Sequence, residues 1–469
     1  MERYKDRMDR LTGGVKRLTS PSISFIVSGI GLCYFLAFLS LMPQLPGLIG
    51  AHGLLPVTDL NAAYEQHYGS SAVWEMKSLT WWISSGLGLQ ILAGIGMISS
   101  LLVVLGRFRL VAFLVSWGIY GSFFVAGQSF LSFQWDTLLL ESGIVGMCLA
   151  GILPKEGATL DRALTWPALL LVRLLAAKVM ISAGLVKVLS GDMWWQDWTA
   201  LTVHFETQPL PTVFGWVCHQ LPFSVLFLGM GWMWVSELIL PVLVFIPGRT
   251  RFYSALCMLL FQVMIAMTGN YGFFNLLVCV LIMSFWVPLP PFSNPCERGK
   301  GWFLKKSMAM LLCVLLLLGV GNRFVFQNSA LAVIDATLAH FRLQFQYGLF
   351  AVMTYPRWEL SLEVSTDKQT WQAVPFYYKP YPGSSLPWVS PHMPRLDWMM
   401  WFAALHPAPH ELPWLQRLAD GILKKEPSVL ALLPPLPSGD FRYIQLQRHP
   451  YRFSDPDEYH QKGVFWIVE

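Results

Sequence analysis

Charge is scarce in this sequence: of 469 residues, only 13% are Asp, Glu, Lys or Arg. Ordinary soluble domains carry about 25%, so a water-exposed globule of this length would lack half its usual solubilising surface. Cysteine is scarce as well. There are seven, an odd number, with no Cys-x-x-Cys pair. Cys33, Cys148, Cys257, Cys279 and Cys313 fall inside apolar stretches, where they read as small hydrophobes filling helix packing. Cys296 falls in a basic loop and Cys218 alone in a loop of the opposite side. A dithiol oxidoreductase needs two neighbouring thiols on the oxidising side, so disulfide chemistry by the protein itself is excluded. No basic stripe interleaved with aromatics occurs, which excludes a nucleic-acid partner, and the net charge of +5 says little beyond where the lysines and arginines flank a membrane.

What the chain has instead is apolar sequence, 54% of its residues, as a bilayer-spanning bundle requires. Apolar stretches of about 18 residues or more, each able to cross the hydrocarbon as a helix, lie at 22–41, 79–105, 110–127, 136–153, 166–189, 222–247, 252–268, 271–288 and 307–327. The stretch 79–105 carries Gly86, Gly88, Gly94 and Gly96, which suits close helix–helix approach. Basic residues set the orientation. Arg3, Lys5, Arg7, Arg10, Lys16 and Arg17 fill the N-terminal tail, and Arg107, Arg109, Lys155, Arg162, Arg249, Arg251, Arg298, Lys300, Lys305 and Lys306 fill the loops on the same side. The other side holds only Lys77 before the last helix. The tail 1–21 is therefore expected in the cytoplasm and residues from about 328 outside it. The first stretch is too long for a signal-peptide core and is followed by no small-x-small cleavage site, so it reads as a retained helix. The expected fold is a polytopic α-helical membrane protein of about nine transmembrane helices over 22–327, with an outside loop at 190–221 and a C-terminal α+β soluble domain over 328–469.

In that domain Trp358, Leu360, Leu362 and Val364 alternate with Glu359, Ser361, Glu363 and Ser365. A period of two predicts a half-buried strand over 357–365. A turn at Thr366–Gln369 leads to a second strand near 370–379. Helices fit 395–405 and 412–425, and strands fit 441–447 and 463–468.

Ionisable residues at bilayer depth are costly and mark function or critical packing. Arg173, Lys178 and Lys187 share one apolar stretch, and Asp136, Glu141 and Glu237 are the candidate counter-charges. Two readings stand side by side. Interhelical ion pairs fix the bundle, with Lys187 snorkelling outward, or the groups line a polar cavity in which a desolvated lysine acts as a base. The loop 190–221 is the densest polar cluster, with Asp192, His204, Glu206 and Gln208. His204 and Glu206 are metal ligands by type, but two positions two apart with no third ligand do not make a site. No metal and no cofactor is expected.

Local strings then carry a resemblance. Phe133-Gln-Trp-Asp-Thr-Leu-Leu-Leu-Glu141, Arg173, Gly184-Leu-Val-Lys187, Gly191-Asp192, Trp195, Trp198, His204-Phe-Glu-Thr-Gln-Pro209 and Gly269-Asn-Tyr-Gly-Phe-Phe-Asn275 occur in order. Arg342, Tyr347-Gly348, Arg395-Leu-Asp-Trp-Met-Met-Trp-Phe-Ala-Ala-Leu405, Pro434-Pro435 and Tyr451-Arg-Phe453 follow. From about residue 130 onward the chain resembles the lipase maturation factor family. The resemblance implies a multipass membrane protein of the endoplasmic reticulum that helps secreted dimeric lipases assemble. It implies membrane lipids and an exported client as partners and assigns no catalytic role to the motif positions, among them Asn270 and Asn275. The sequence has no Asn-x-Ser/Thr site, which together with the missing cysteine pair suits a bacterial member with a periplasmic domain in the inner membrane. Trp388, Arg395, Asp397, Trp398 and Trp401, near a proline-rich loop, are the candidate client contacts; the tryptophans serve equally well as domain core. The alternative function is an intramembrane enzyme acting on a lipid or quinone-like molecule, similar to the vitamin K-dependent carboxylase superfamily, with Lys178 or Lys187 as base.

Overall fold

The computed structural model describes residues 2–153, 162–288, 302–381, 383–388 and 393–469, without the side chains of 2–19, 162, 163 and 302. Lys155, Cys296, Arg298 and Lys300, and the side chains of the basic tail and Arg162, therefore lie outside the described residues. Eight helices are long and apolar enough to cross a membrane. They are α1 (Glu2–Leu41, apolar from Ser20), α2 (Gly86–Val104), α3 (Arg109–Ala126), α4 (Gln134–Ile152), α5 (Arg162–Leu189), α6 (Phe223–Leu243), α7 (Arg249–Thr268) and, after a shorter helix α8 (Phe274–Met283), α9 (Phe303–Phe326). The helix α5 is the centre of the bundle, 72% of its apolar window buried, whereas the same window of α9 is 28% buried and leaves most of its surface for lipid.

The stretch 271–288 runs from beside Trp398 to the start of α7, where Trp286 meets the Phe252 carbonyl, but its helix is shorter than a full crossing. Helical structure there is confined to Phe274–Trp286, including a final 3-10 turn, about 20 Å at 1.5 Å per residue against a hydrocarbon core of about 30 Å. Both ends are drawn off into other contacts. Gly272 takes a left-handed backbone (φ +56°) and its N–H is held by the Asn270 side chain at 3.2 Å. At the far end Arg173 donates to the carbonyls of Ser284 and Val287. Of the glycines in the second apolar stretch, Gly96 is the close approach, since a Cβ there would run into the Phe38 ring of α1; Gly94 meets nothing. The helix itself starts only at Gly86.

A twelve-residue helix, α10 (Ser329–His340), follows α9. The C-terminal region then forms a four-stranded antiparallel sheet, order β2–β1–β3–β4, from β1 (Arg357–Ser365), β2 (Gln372–Ala373), β3 (Tyr443–Phe453) and β4 (Trp466–Val468). Packed with it are α11 (Arg395–Leu405) and α12 (Pro413–Leu423). The second strand is much shorter than expected, because only Glu363 and Val364 of β1 find partners in it, and β3 is longer, pairing with all of β1. One apolar core runs without a break from Phe38 and Tyr120 through Phe130 and Trp135 into Trp398, Met400 and Leu418. The C-terminal region is thus seated on one end of the bundle, here called the capped end.

Candidate functional site: a polar clasp and a buried cavity

The polar residues singled out above serve largely to join the two halves. Asp136, in the first turn of α4, meets the Arg395 guanidinium in two bonds of 2.6 and 2.7 Å, and Arg395 donates again to the Phe130 carbonyl. The Tyr120 hydroxyl donates to the same carboxylate at 2.5 Å. Both charges are buried, at 0% and 1% exposure, so they persist because they face each other and both terminal guanidinium nitrogens are bonded, Nε alone having no partner. Glu141, further along α4, accepts from Lys178 (2.7 Å), from the Tyr347 hydroxyl (2.5 Å) and from the Phe345 N–H (2.8 Å).

The loop 190–221 makes the rest of the clasp. Asp192 caps the short helix Met193–Gln196 through the N–H groups of Trp194 and Trp195, and its other oxygen accepts from Met353 N–H at 2.8 Å. Glu206 accepts from the Phe453 N–H at 2.8 Å. Arg357 of β1 donates to the carbonyls of Glu206, Gln208 and Pro209 while pairing with Glu359, itself 3.0 Å from Lys379. The carbonyls of Asn270 and Thr207 accept the indole N–H groups of Trp398 and Trp401. The Asp397 carboxylate takes the N–H groups of Tyr378 and Lys379; burial raises its pKa to about 6 against the opposing pull of those bonds.

Lys187 does not snorkel. Its ammonium bonds both oxygens of Glu237, at 2.6 and 2.7 Å, since reaching outward would have left that carboxylate buried without a counter-ion. A π-turn over Val235–Ile239 carries Glu237, a local widening found most often at functional positions. The pair borders a cavity of about 100 Å³ whose walls include Met180, Phe205, Met233, Phe261 and Phe350. Its polar lining includes Lys187, Glu237, His204, Gln262, Tyr271 and Asn275. Asn275 donates to Gln262 at 2.8 Å and Tyr271 to Gln208 at 2.7 Å, whereas Nδ1 of His204 has no partner. Burial, reinforced by Lys187, lowers the His204 pKa to about 4, so the ring is neutral at pH 7.

Glu206 also faces His219 at 3.8 Å. Burial pushes the carboxyl up and the imidazole down, which favours the uncharged form of each. His204 and Glu206 belong to different groupings, one at the cavity and one under β3. Among the described residues no cluster of three His, Cys, Asp or Glu could hold a metal. Arg173 has no carboxylate partner among them either and rests on backbone carbonyls. Of the five aromatic and charged residues proposed to touch a client, Arg395, Asp397, Trp398 and Trp401 are buried and Trp388 is 64% exposed. Residues that carry the clasp without having been singled out are Tyr120, Arg357, Glu359, Lys379 and Gln44, whose amide donates to the Met393 carbonyl and accepts from the Arg395 N–H, both at 2.9 Å. Tyr120 and Gln44 give no sequence signal, and the alternation of the strand puts Arg357 and Glu359 on its solvent side, although both are buried.

These features define a polytopic membrane protein whose C-terminal domain is fastened to its helices by buried ion pairs and backbone-directed bonds. The chain belongs to the lipase maturation factor family. Residues 22–287 match the lipase maturation factor transmembrane domain and residues 343–469 the lipase maturation factor C-terminal domain. Lipase maturation factor 2 of Homo sapiens is 30% identical over 572 aligned residues, covering 94% of this chain and 80% of the relative. Lipase maturation factor 1 of Mus musculus is 28% identical over 494, covering 94% and 84%. The Bos taurus lipase maturation factor 1 is 28% identical over 506, covering 99% and 89%. No solved structure matches the chain.

Proposed function

We propose that this chain is a non-enzymatic, chaperone-like maturation factor for an exported client of the lipase type for which its relatives are named. The observation that carries the reading is the likeness to those relatives through both halves of the chain. The capped end is the extracytoplasmic face, supported by the asymmetry of basic residues between the two sides: periplasmic if the source is bacterial, luminal in the endoplasmic reticulum if eukaryotic. The functional units are then a cytoplasmic tail (1–21), the membrane bundle (22–327) and an extracytoplasmic region (328–469). Client contact falls at the seam between the 190–221 loop and the cap. There Val213 N–H bonds the Pro387 carbonyl, and Trp388 stands exposed against the Phe214 ring, centroids 5.4 Å apart. An exposed tryptophan is of a residue type enriched among the anchors that dominate binding.

Against chemistry in the bundle, both lysines named as bases are already engaged by buried carboxylates, Lys178 by Glu141 and Lys187 by Glu237, whereas a base must reach the proton it abstracts. The test is co-expression with a secreted lipase in cells that lack their own maturation factor, reading secreted activity per unit of lipase antigen. A rise of about tenfold is expected, on the scale of one well-made anchor contact; an unchanged specific activity would sink the proposal. The cavity beside His204 keeps a second reading in view, an intramembrane enzyme for a lipid-like substrate. The double change Lys187→Met with Glu237→Leu separates the two, since it removes both charges together. Normal maturation by this variant supports the structural role, and a folded but inactive protein supports the enzyme.

A further inference from the structure

Residues 288–342 fall between the two stretches that match the family, and within them α10 stands apart in its packing. Its sequence, Ser-Ala-Leu-Ala-Val-Ile-Asp-Ala-Thr-Leu-Ala-His, holds one carboxylate and is otherwise apolar or small up to its closing histidine. None of its residues is buried. The less exposed positions are Leu331, Asp335, Leu338 and Ala339, spaced as one face of a helix. Apolar side chains stand outside that face too, Val333 opposite it at 66% exposure and Ile334 on its flank at 42%. A helix apolar on both faces cannot rest in water on one of them. At twelve residues it spans about 18 Å, too short to cross.

Its position says what covers it. The chain turns at Gln327, in a left-handed conformation (φ 48°), and the Asn322 side chain accepts the Asn328 N–H at 2.7 Å, so α10 begins beside the end of α9. From there it packs against α9. Asp335 takes a bond from Gln344 at 3.1 Å, and both side chains sit against Gly319, where a Cβ would lie 2.8 Å from the Asp335 oxygen. Leu338 shares a small pocket with Leu312, Leu315 and Leu316. The face of α9 beside it is the lipid-facing kind, with Val314, Leu317, Val325 and Phe326 exposed. At its far end the helix meets interfacial chemistry. His340 contacts Lys77 and lies 3.8 Å from Glu75, Lys77 stands over the Phe341 ring, and Trp74 nearby in the chain is 76% exposed.

We infer that α10 is an in-plane membrane helix, its Val333–Ile334 face immersed in the acyl chains of the leaflet at the capped end and its Asp335 side turned to the bundle. The partner is the lipid surface, as for other short helices that lie at the headgroup–acyl boundary. The inference does not depend on the lipase client.

The test uses the full chain in vesicles of phosphatidylcholine and phosphatidylglycerol. Spin labels at Val333→Cys and Ile334→Cys, in a background with the native cysteines replaced, are compared with Val314→Cys on α9 and Lys424→Cys on the cap. Oxygen should relax the labels at 333 and 334 at least about threefold more strongly than a water-soluble nickel complex does, as at 314, if the helix is inserted as in-plane helices are. Nickel-dominated relaxation, as at 424, overturns the inference. So does low accessibility to both with spin–spin broadening, which would mean a second copy covers the helix. If the replaced background does not fold, an acyl-chain diazirine on the unmodified chain answers the same question: labelling of 329–340 supports insertion, and its confinement to other helices refutes it.

Discussion

Replacing Asp136 by Asn tests the clasp at its most buried point. The variant keeps the size of the side chain and removes the charge, leaving the Arg395 guanidinium, 1% exposed, without its counter-ion. Breaking a buried pair from one side costs about 3–5 kcal/mol. The low end applies here, because Arg395 retains the Phe130 carbonyl at 3.0 Å and the Tyr120 hydroxyl at 3.3 Å. A loss of about 3 kcal/mol raises the open population about 150-fold, at 1.36 kcal/mol per decade. The amides of α11 report it directly: their hydrogen exchange should speed up by about that factor while the amides of the central helix α5 stay slow. The pair change Asp136→Leu with Arg395→Met should recover most of the loss, since two apolar groups replace two charges. Exchange in α11 faster by less than about threefold in Asp136→Asn, a change under 1 kcal/mol, would show that the cap is not held here.

Asp397 and His204 make opposite contributions to acid stability. The folded Asp397 carboxyl is raised from 3.8 to about 6, so its contribution is fully present below pH 3.8 and is lost as the pH rises through about 6. Asp397→Asn keeps an oxygen for the Tyr378 and Lys379 N–H groups and should abolish that slope in a Tm-against-pH series; parallel curves would refute the assignment. His204 is lowered from 6.5 to about 4, so its contribution is present above pH 6.5 and lost as the pH falls through about 4. His204→Gln should flatten that acid limb, and an unchanged limb counts against a buried neutral ring. Gly269→Ala presses a Cβ onto the Gln208 side-chain oxygen and within 2.6 Å of the Tyr271 ring, an overpacking expected to cost about 1–3 kcal/mol in denaturant unfolding. Trp388→Ser should leave that unfolding within about 0.5 kcal/mol, as for exposed sites, yet lower lipase maturation; unchanged maturation removes Trp388 from the contact.

Much of the frame is legible in the sequence because it rests on local patterns. The β1 strand and α11 fall where period and composition place them, at 357–365 and 395–405. Alternation predicts a half-buried strand, however, and Arg357 and Glu359 on its polar side are buried too, because loop carbonyls 148–151 residues away in the chain cover them. Hydropathy likewise does not show that 271–288 unwinds at Gly269–Gly272, since the cause is a set of contacts with Leu210 and Trp398. The residue types of the polar cluster are visible in sequence, but the pairings are not. Asp136 has lysines and arginines of the same bundle as its nearest candidates, and its partner is 259 residues away in the cap. For the same reason the sequence places α10 in the soluble region: a twelve-residue, mostly apolar helix falls below any crossing length, and only its packing shows which way it faces.

The clasp has a consequence for how the molecule is made. Glu206 emerges from the ribosome 247 residues before Phe453, whose N–H satisfies it. At about 5–20 residues per second that is roughly 10–50 s of translation. Asp136 likewise waits 259 residues for Arg395, and the carbonyls of Glu206, Gln208 and Pro209 wait 148–151 residues for Arg357, all facing the capped end until then. The bundle is therefore translated as a socket whose plug arrives last, and the newly made chain must itself be kept from misassembly until its final strands close it.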